Sequence, residues 1–256
     1  MLYLGTSGFS FDDWRGTVYP ENIPKSKMLD YYWKILGFNS VELNFTYYSL
    51  PSRKTTLSFV KRTPPDFVFA AKLPSHVTHE GWKRGLDTEI VESYLESMEP
   101  LIESGKLKMH LVQFPTSFRY NPQNIEYIER IYGLVSPLAV EFRHDSWNRE
   151  DVYERLEDLG ITYVVVDEPR IDHLFPYVPR FTSNIGYFRF HGRNERWFEV
   201  SGGERYDYHY SDEELSTFTR DVSTALKTLG DVFAFFNNCH RGNAAINAKR
   251  FREMIG

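Results

Sequence analysis

Glu42, Glu141 and Asp167, together with Lys72, Arg143, Arg189 and His191, are the residues best placed to do chemistry. Each lies at or near the end of a short strand-like run. Two carboxylates across a cleft can serve as general acid and base, or as nucleophile and acid. Arginine's planar fork matches a carboxylate or a phosphate, so the cations favour an anionic ligand. The formal charges of the carboxylates and cations balance, leaving His191 to titrate near neutrality. The amides Asn44, Gln113, Asn237 and Asn238 stand at similar places, where they can orient a ligand or a charged neighbour. Arg193 follows His191-Gly192, and a glycine there lets the backbone approach a ligand.

These positions matter only if the chain brings them together. Eight strand-like runs are read at Tyr3–Thr6, Ser40–Asn44, Phe67–Lys72, Met109–Phe114, Leu138–Arg143, Thr162–Asp167, Tyr187–His191 and Val232–Asn237. Helical periodicity is read at Ser26–Leu36, Arg53–Arg62, Thr88–Glu103, Pro122–Tyr132, Glu150–Leu159, Asp212–Leu229 and Ala244–Met254. Strands alternating with helices imply parallel pairing through crossovers. Eight such units in 256 residues fit a single α/β domain over residues 1–256, a TIM-type (β/α)8 barrel, for which about 250 residues is typical. A doubly wound open sheet is the alternative, weakened because no G-x-G-x-x-G follows the first strand. Glu168 to Gly186 contains Pro169, Pro176 and Pro179, so the sixth helix is expected to be missing or reduced to a turn.

Side chains alternate along a strand, so inward and outward positions interleave. With the apolar phase set against the helices, Glu42 and Asn44, Glu141 and Arg143, Tyr163 and Asp167, and Arg189 and His191 turn inward. Lys72, Gln113 and Asn237 join them near the same ends of their strands. Barrel interiors are normally filled with branched apolar side chains. Charges there must be paired or must meet a ligand. Two outcomes follow: a self-satisfied network of ion pairs, or a polar pocket whose walls that network holds.

Other chemistries are less well supported. Glu42, Glu141, Asp167 and His191 include metal-ligand types, but Lys72, Arg143 and Arg189 share the inner face and repel a divalent ion, so no metal ligand is assigned. No nucleotide-cofactor motif is present. Cys239 is expected to be a small packed residue, although a role as nucleophile is conceivable beside His240. Phe9, Phe11, Trp14 and Tyr19, and also Tyr47 and Tyr48, are read as loop packing, with stacking on a ligand as the alternative.

Composition narrows the classes further. Hydrophobic residues make up 41% and charged residues 25%, which excludes a disordered chain. The net charge of −5 argues against a general nucleic-acid coat. No apolar run approaches the roughly 18 residues of a membrane span, so no membrane partner is expected. The single cysteine excludes an internal disulfide. No secretory signal is read at the N-terminus, and the cytoplasm is the expected compartment.

Several strings are also similar to one known family. They are Gly5-Thr6-Ser7-Gly8-Phe9 with Trp14, Gly16 and Tyr19-Pro20; Val41-Glu42-Leu43-Asn44 with Thr46, Tyr48 and Leu50-Pro51; and Lys72 with Thr78-His79. Gln113-Phe114-Pro115, Glu141-Phe142-Arg143-His144 with Ser146-Trp147, and Asp167 with Pro169 continue the series. Arg189 with His191-Gly192-Arg193, and Phe235-Phe236-Asn237-Asn238 with Gly242, Ala244 and Asn247-Ala248, complete it. Together they resemble the YecE-like family, also called domain of unknown function 72, over nearly the whole chain. Phe45 and Tyr47 depart from its usual residues. The resemblance implies a TIM-type barrel and no defined activity.

The leading expectation is an enzyme acting on a small polar or anionic ligand at the C-terminal face of the barrel. Glu42, Glu141, Asp167 and His191 are its candidate catalytic groups. Asn44, Lys72, Gln113, Arg143, Arg189, Arg193, Asn237 and Asn238 are its candidate ligand-binding groups. A metal-assisted phosphodiester hydrolase acting on nucleic acid and a non-enzymatic small-molecule sensor are the alternatives, with nucleic acid not favoured as partner.

Overall fold

The computed structural model describes residues 1–200 and 202–256. Eight parallel strands form one sheet: β1 (Leu2–Thr6), β2 (Ser40–Leu43), β3 (Val68–Lys72), β4 (Leu107–Gln113), β5 (Leu138–Glu141), β6 (Thr162–Asp167), β7 (Ile185–Phe190) and β8 (Asp231–Phe236). Their order is β1-β8-β7-β6-β5-β4-β3-β2, every ladder parallel. The helices are α1 (Lys25–Lys34), α2 (Arg53–Arg62), the short α3 (Gly81–Arg84), α4 (Thr88–Glu103), α5 (Pro122–Tyr132), α6 (Glu150–Leu159), α7 (Asp212–Thr228) and α8 (Asn243–Ile255). This is the expected (β/α)8 barrel. The β6–β7 connection carries no helix, as its three prolines imply.

Side-chain caps fix several helix starts. Asn121 accepts from the Asn124 amide ahead of Pro122, and Ser211 with Glu214 forms a capping box on α7. Gly160 ends α6 in the left-handed region.

The sheet closes between β1 and β2 with little backbone pairing, through a bridge of Ser7 with Glu42. Side chains do the rest. Asn39 donates to Leu2 O and accepts from Leu4 N, both at 2.8 Å. The Tyr32 hydroxyl accepts from Thr6 N at 2.8 Å and donates to Ser40 O at 3.0 Å. Gly5 is required here, since a Cβ would stand 2.0 Å from Ser40 O. Asn39→Ala leaves two backbone groups at the seam without partners, and is expected to cost about 2 kcal/mol in urea unfolding.

The lower barrel is plugged by aromatics. Tyr3 and Tyr187 stack on Phe233 at 4.8 and 5.5 Å between ring centres. Polar residues therefore concentrate above the plug, at the C-terminal mouth. One strand runs in the opposite phase to expectation. Val166 is in register with the inward Arg189, and Asp167 with the outward Phe190. Val164 and Val166 thus face the interior, while Tyr163 turns out against Tyr153 of α6. Tyr163-Val164-Val165-Val166 is apolar on both faces, so alternation offered no contrast by which to phase it.

Candidate functional site

A chain of alternating charges crosses the mouth. Arg189, on β7, donates through Nη1 to Glu141 Oε2 at 2.5 Å and through Nη2 to Glu42 Oε1 at 2.6 Å. Glu42, at the end of β2, also accepts from the Ser7 hydroxyl at 2.7 Å and the Tyr187 hydroxyl at 2.6 Å. Glu141, closing β5, accepts from Arg143 Nε at 2.5 Å and from His191 Nε2 at 3.2 Å. Arg143 Nη1 reaches Glu168 Oε2 at 2.6 Å, and the Phe175 amide donates to Glu168 Oε1 at 3.1 Å. All of these side chains are buried. Each charge touches one of opposite sign, which is what keeps such groups ionised away from water.

Glu168 was not among the sequence candidates. It follows β6, and reversing the phase of that strand makes it the inward residue in place of Asp167.

Burial by itself would raise the Glu141 carboxyl. The Arg189 and Arg143 charges, helped by His191, override it and hold Glu141 well below the usual carboxylate range. Burial and then the Arg143 charge push His191 down to about 3, so it stays neutral near pH 7 rather than titrating there. Its Nδ1 accepts from Asn237 at 2.8 Å. Burial lifts Glu168 to about 7, against the pull of Arg143. Lys72, half-buried at the end of β3, is lowered to about 7 by burial and by the Arg189 charge.

Above this network opens a cavity of about 580 Å³. Lys72, Arg143, Arg189 and Arg205 reach its wall, as do the amides of Asn44, Gln113 and Asn237, whereas among the described residues Asp13 is its one carboxylate. Glu42, Glu141 and Glu168 lie behind the arginines and do not line it. Lys72 Nζ donates to Gln113 Oε1 at 2.7 Å and sits 4.2 Å from the centre of the Tyr47 ring. Among the described residues it has no carboxylate partner, whereas Arg143 and Arg189 each bond two.

Three sequence candidates stand elsewhere. Asp167 accepts from Arg193 Nη2 at 2.6 Å and from the Tyr210 hydroxyl at 2.7 Å, outside the barrel near the start of α7. Arg193 also reaches Glu214 at 2.9 Å. Asn238 points away from the cavity and bonds Tyr208 O and Asn247. These residues tie the β7 and β8 ends to α7 and α8. Asp167→Asn is expected to lose about 1–3 kcal/mol of stability, because Arg193 loses its charge-assisted acceptor.

The aromatic loop residues divide. Trp14 and Tyr19 are buried packing, with the Trp14 indole donating to Cys239 O at 2.7 Å, while Phe11 lines the cavity. Tyr48 stands at the rim, 83% exposed. Cys239 is buried and its thiol is pushed up by burial, as a packed residue should be. Glu42, Glu141, Asp167 and His191 do not converge on one point, since the Arg189 guanidinium separates the first two and Asp167 is remote. A His144, Asp145 and His173 grouping lies on the loops beyond β5 and β6, with Asp145 3.1 Å from His144 Nδ1 and 3.5 Å from His173 Nδ1. Among the described residues, no helix is long and apolar enough to cross a membrane.

An eight-stranded parallel barrel with a polar cluster at its C-terminal mouth defines the TIM-barrel class, in which ligands bind at that face. Within that class the chain belongs to the family described as protein of unknown function DUF72, whose model matches residues 3–256. It is similar to the UPF0759 protein YunF of Bacillus subtilis (strain 168), with 32% identity covering 100% of this chain and 95% of the relative. Among solved structures, a DUF72 family protein of Thermotoga maritima MSB8 is 54% identical with a TM-score of 0.95, covering 100% of this chain and 99% of the other. Another DUF72 family protein, from Enterococcus faecalis V583, is 29% identical with a TM-score of 0.85, covering 100% and 95%.

Proposed function

We propose that the chain is an enzyme acting on a small anionic molecule bound at the mouth of the barrel. One observation carries this reading: the cavity wall presents Lys72, Arg143, Arg189 and Arg205, and the buried carboxylates stand behind them. A purely structural network has no need of an unpaired lysine on an open wall. Arg189 and Arg143 are held rigidly by Glu42, Glu141 and Glu168, so their remaining donors meet a ligand without reorganising.

The same geometry shifts the chemical roles. Glu42 and Glu141 are saturated with donors and act as positioning residues. His191 is neutral, and Asn237 orients it. Proton transfer falls to Lys72, whose amine is poised near neutrality. Asn44, Gln113 and Asn237 orient the substrate. A binding protein without turnover would share this pocket, and only consumption of a bound metabolite separates the two.

Titration with inorganic phosphate and small carboxylates tests the reading. A true ligand raises thermal stability by about 2.7 kcal/mol at a hundredfold excess over its Kd. That gain should vanish in Lys72→Met. If no anion stabilises the protein, or if stabilisation is indifferent to Lys72, the reading fails.

A further inference from the structure

We propose that Lys72 forms an imine with a small carbonyl compound bearing an anionic group. This narrows the substrate class of the reading above and rests on it. Lys72 Nζ lies on the cavity wall, fixed by the neutral Gln113 Oε1 at 2.7 Å and by the face of Tyr47. A lysine placed there for structure would be matched to a carboxylate. Here the groups around it are mixed. Burial opposes the ammonium most, Arg189 and Arg143 add to it, and Glu141 and Glu42, behind them, offset it only partly. His79, nearby, is itself held neutral by burial and the Lys72 charge. The balance leaves a large neutral-amine fraction at pH 7, and the same guanidinium groups attract a carboxylate or phosphate on the incoming molecule.

Two residues of the cavity wall also carry a polar atom without a partner: Arg189 Nε is buried without an acceptor, and Asn44 Oδ1 is buried without a donor.

The step balances. The neutral Lys72 amine attacks the carbonyl carbon, a C–N bond forms, and the carbonyl π pair moves to oxygen. The nitrogen loses a proton and the oxygen gains one, giving a carbinolamine. A second proton, taken from solvent water, lets that oxygen leave as water, and the nitrogen lone pair closes the C=N bond of the iminium. Neither oxidant nor reductant is needed.

The test uses the whole chain with glyoxylate in one arm and glycolaldehyde phosphate in the other, each with cyanoborohydride, which traps the iminium by hydride addition. Sites are read by peptide mass mapping. At pH 7 an amine with a pKa near 7 is about half neutral, against less than about one part in a thousand for an ordinary lysine. Because a less basic amine is also a weaker nucleophile, Lys72 should label about 100-fold faster than the exposed Lys25, Lys34 and Lys54 rather than by the full ratio of neutral fractions, with a rate midpoint near pH 7 and with protection by inorganic phosphate. Whichever arm labels faster identifies the carboxylate or the phosphate as the preferred anion. Labelling of Lys72 no faster than the surface lysines in both arms overturns the proposal. Lys72→Arg separates the two readings, because it keeps the charge but cannot form the imine. Phosphate binding retained in Lys72→Arg, with trapping absent from the wild type, sinks the imine and leaves the anion pocket standing. Failure of the wild type to bind either inorganic phosphate or a small carboxylate sinks both.

Discussion

Replacing Arg189 by Met is expected to destabilise the protein by about 3–5 kcal/mol, the usual result of removing one partner from a buried ion pair. The magnitude follows from what is left behind. Glu42 keeps two hydroxyl donors, from Ser7 and Tyr187, but no cation. Glu141 keeps Arg143 and His191, and loses its second guanidinium. Both carboxylates are fully buried, so neither is relieved by water. For a chain of this size the loss corresponds to a fall of about 10 °C in Tm. The sign of the pH dependence is also fixed. Glu141 has a folded pKa well below its unfolded value. Its stabilising contribution is complete above the unfolded value of about 4.3 and is lost as pH falls through the folded one. The wild type should therefore lose stability steeply in acid, and Arg189→Met should show a shallower acid limb. Adding Glu42→Gln to Arg189→Met should recover part of the loss, because the one stranded charge goes with its partner, while Glu141 stays paired with Arg143. A loss under about 1 kcal/mol in urea unfolding for the single variant would mean that water reaches these carboxylates, contrary to their burial.

Alternation exposed the inward faces of β2, β5 and β7 because each sets charged residues against Val, Leu or Phe. Glu42, Glu141, Arg189 and His191 could be placed on one face from that contrast alone. On β6 a run of apolar residues erased the contrast, and the error moved a carboxylate by one position, from Glu168 to Asp167. Arg193 and Asn238 follow strand ends, where the backbone leaves the two-residue period, and both turn to the helices instead. The seam was illegible for a related reason. Asn39 and Tyr32 read as a turn residue and a helix aromatic, and nothing in one dimension says that they replace a ladder between β1 and β2. Nor does a sequence reveal layering. A tally of charges treats Glu42 and Lys72 as equals, whereas the structure puts one behind a guanidinium and the other on an open wall.

That layering gives the second large expected effect, and it runs against intuition: Lys72→Met should make the protein more stable while abolishing the proposed anion binding. A half-buried ammonium beside Arg189 and Arg143 is unfavourable in the fold, which is why its pKa falls from 10.5 to about 7. The full shift would be worth several kcal/mol at about 1.4 kcal/mol per unit. Allowing for partial exposure, a gain of about 2 kcal/mol is expected at pH 6. Between about pH 7 and 10 the unfolded lysine holds a proton that the folded one has released, so wild-type stability rises with pH across that window. The advantage of Lys72→Met should accordingly be greatest at or below pH 7 and shrink toward pH 10. Methionine fills similar volume against the Tyr47 ring, so a packing loss should not hide the effect. Residues retained at a cost to stability are those selected for what they do, and a stabilising loss-of-binding variant is the signature of that trade. Urea midpoints for the two proteins, taken at pH 6 and pH 9, decide the matter. A variant less stable than wild type at pH 6 would show Lys72 to be a structural residue, and the case for ligand chemistry at the mouth would lose its central group.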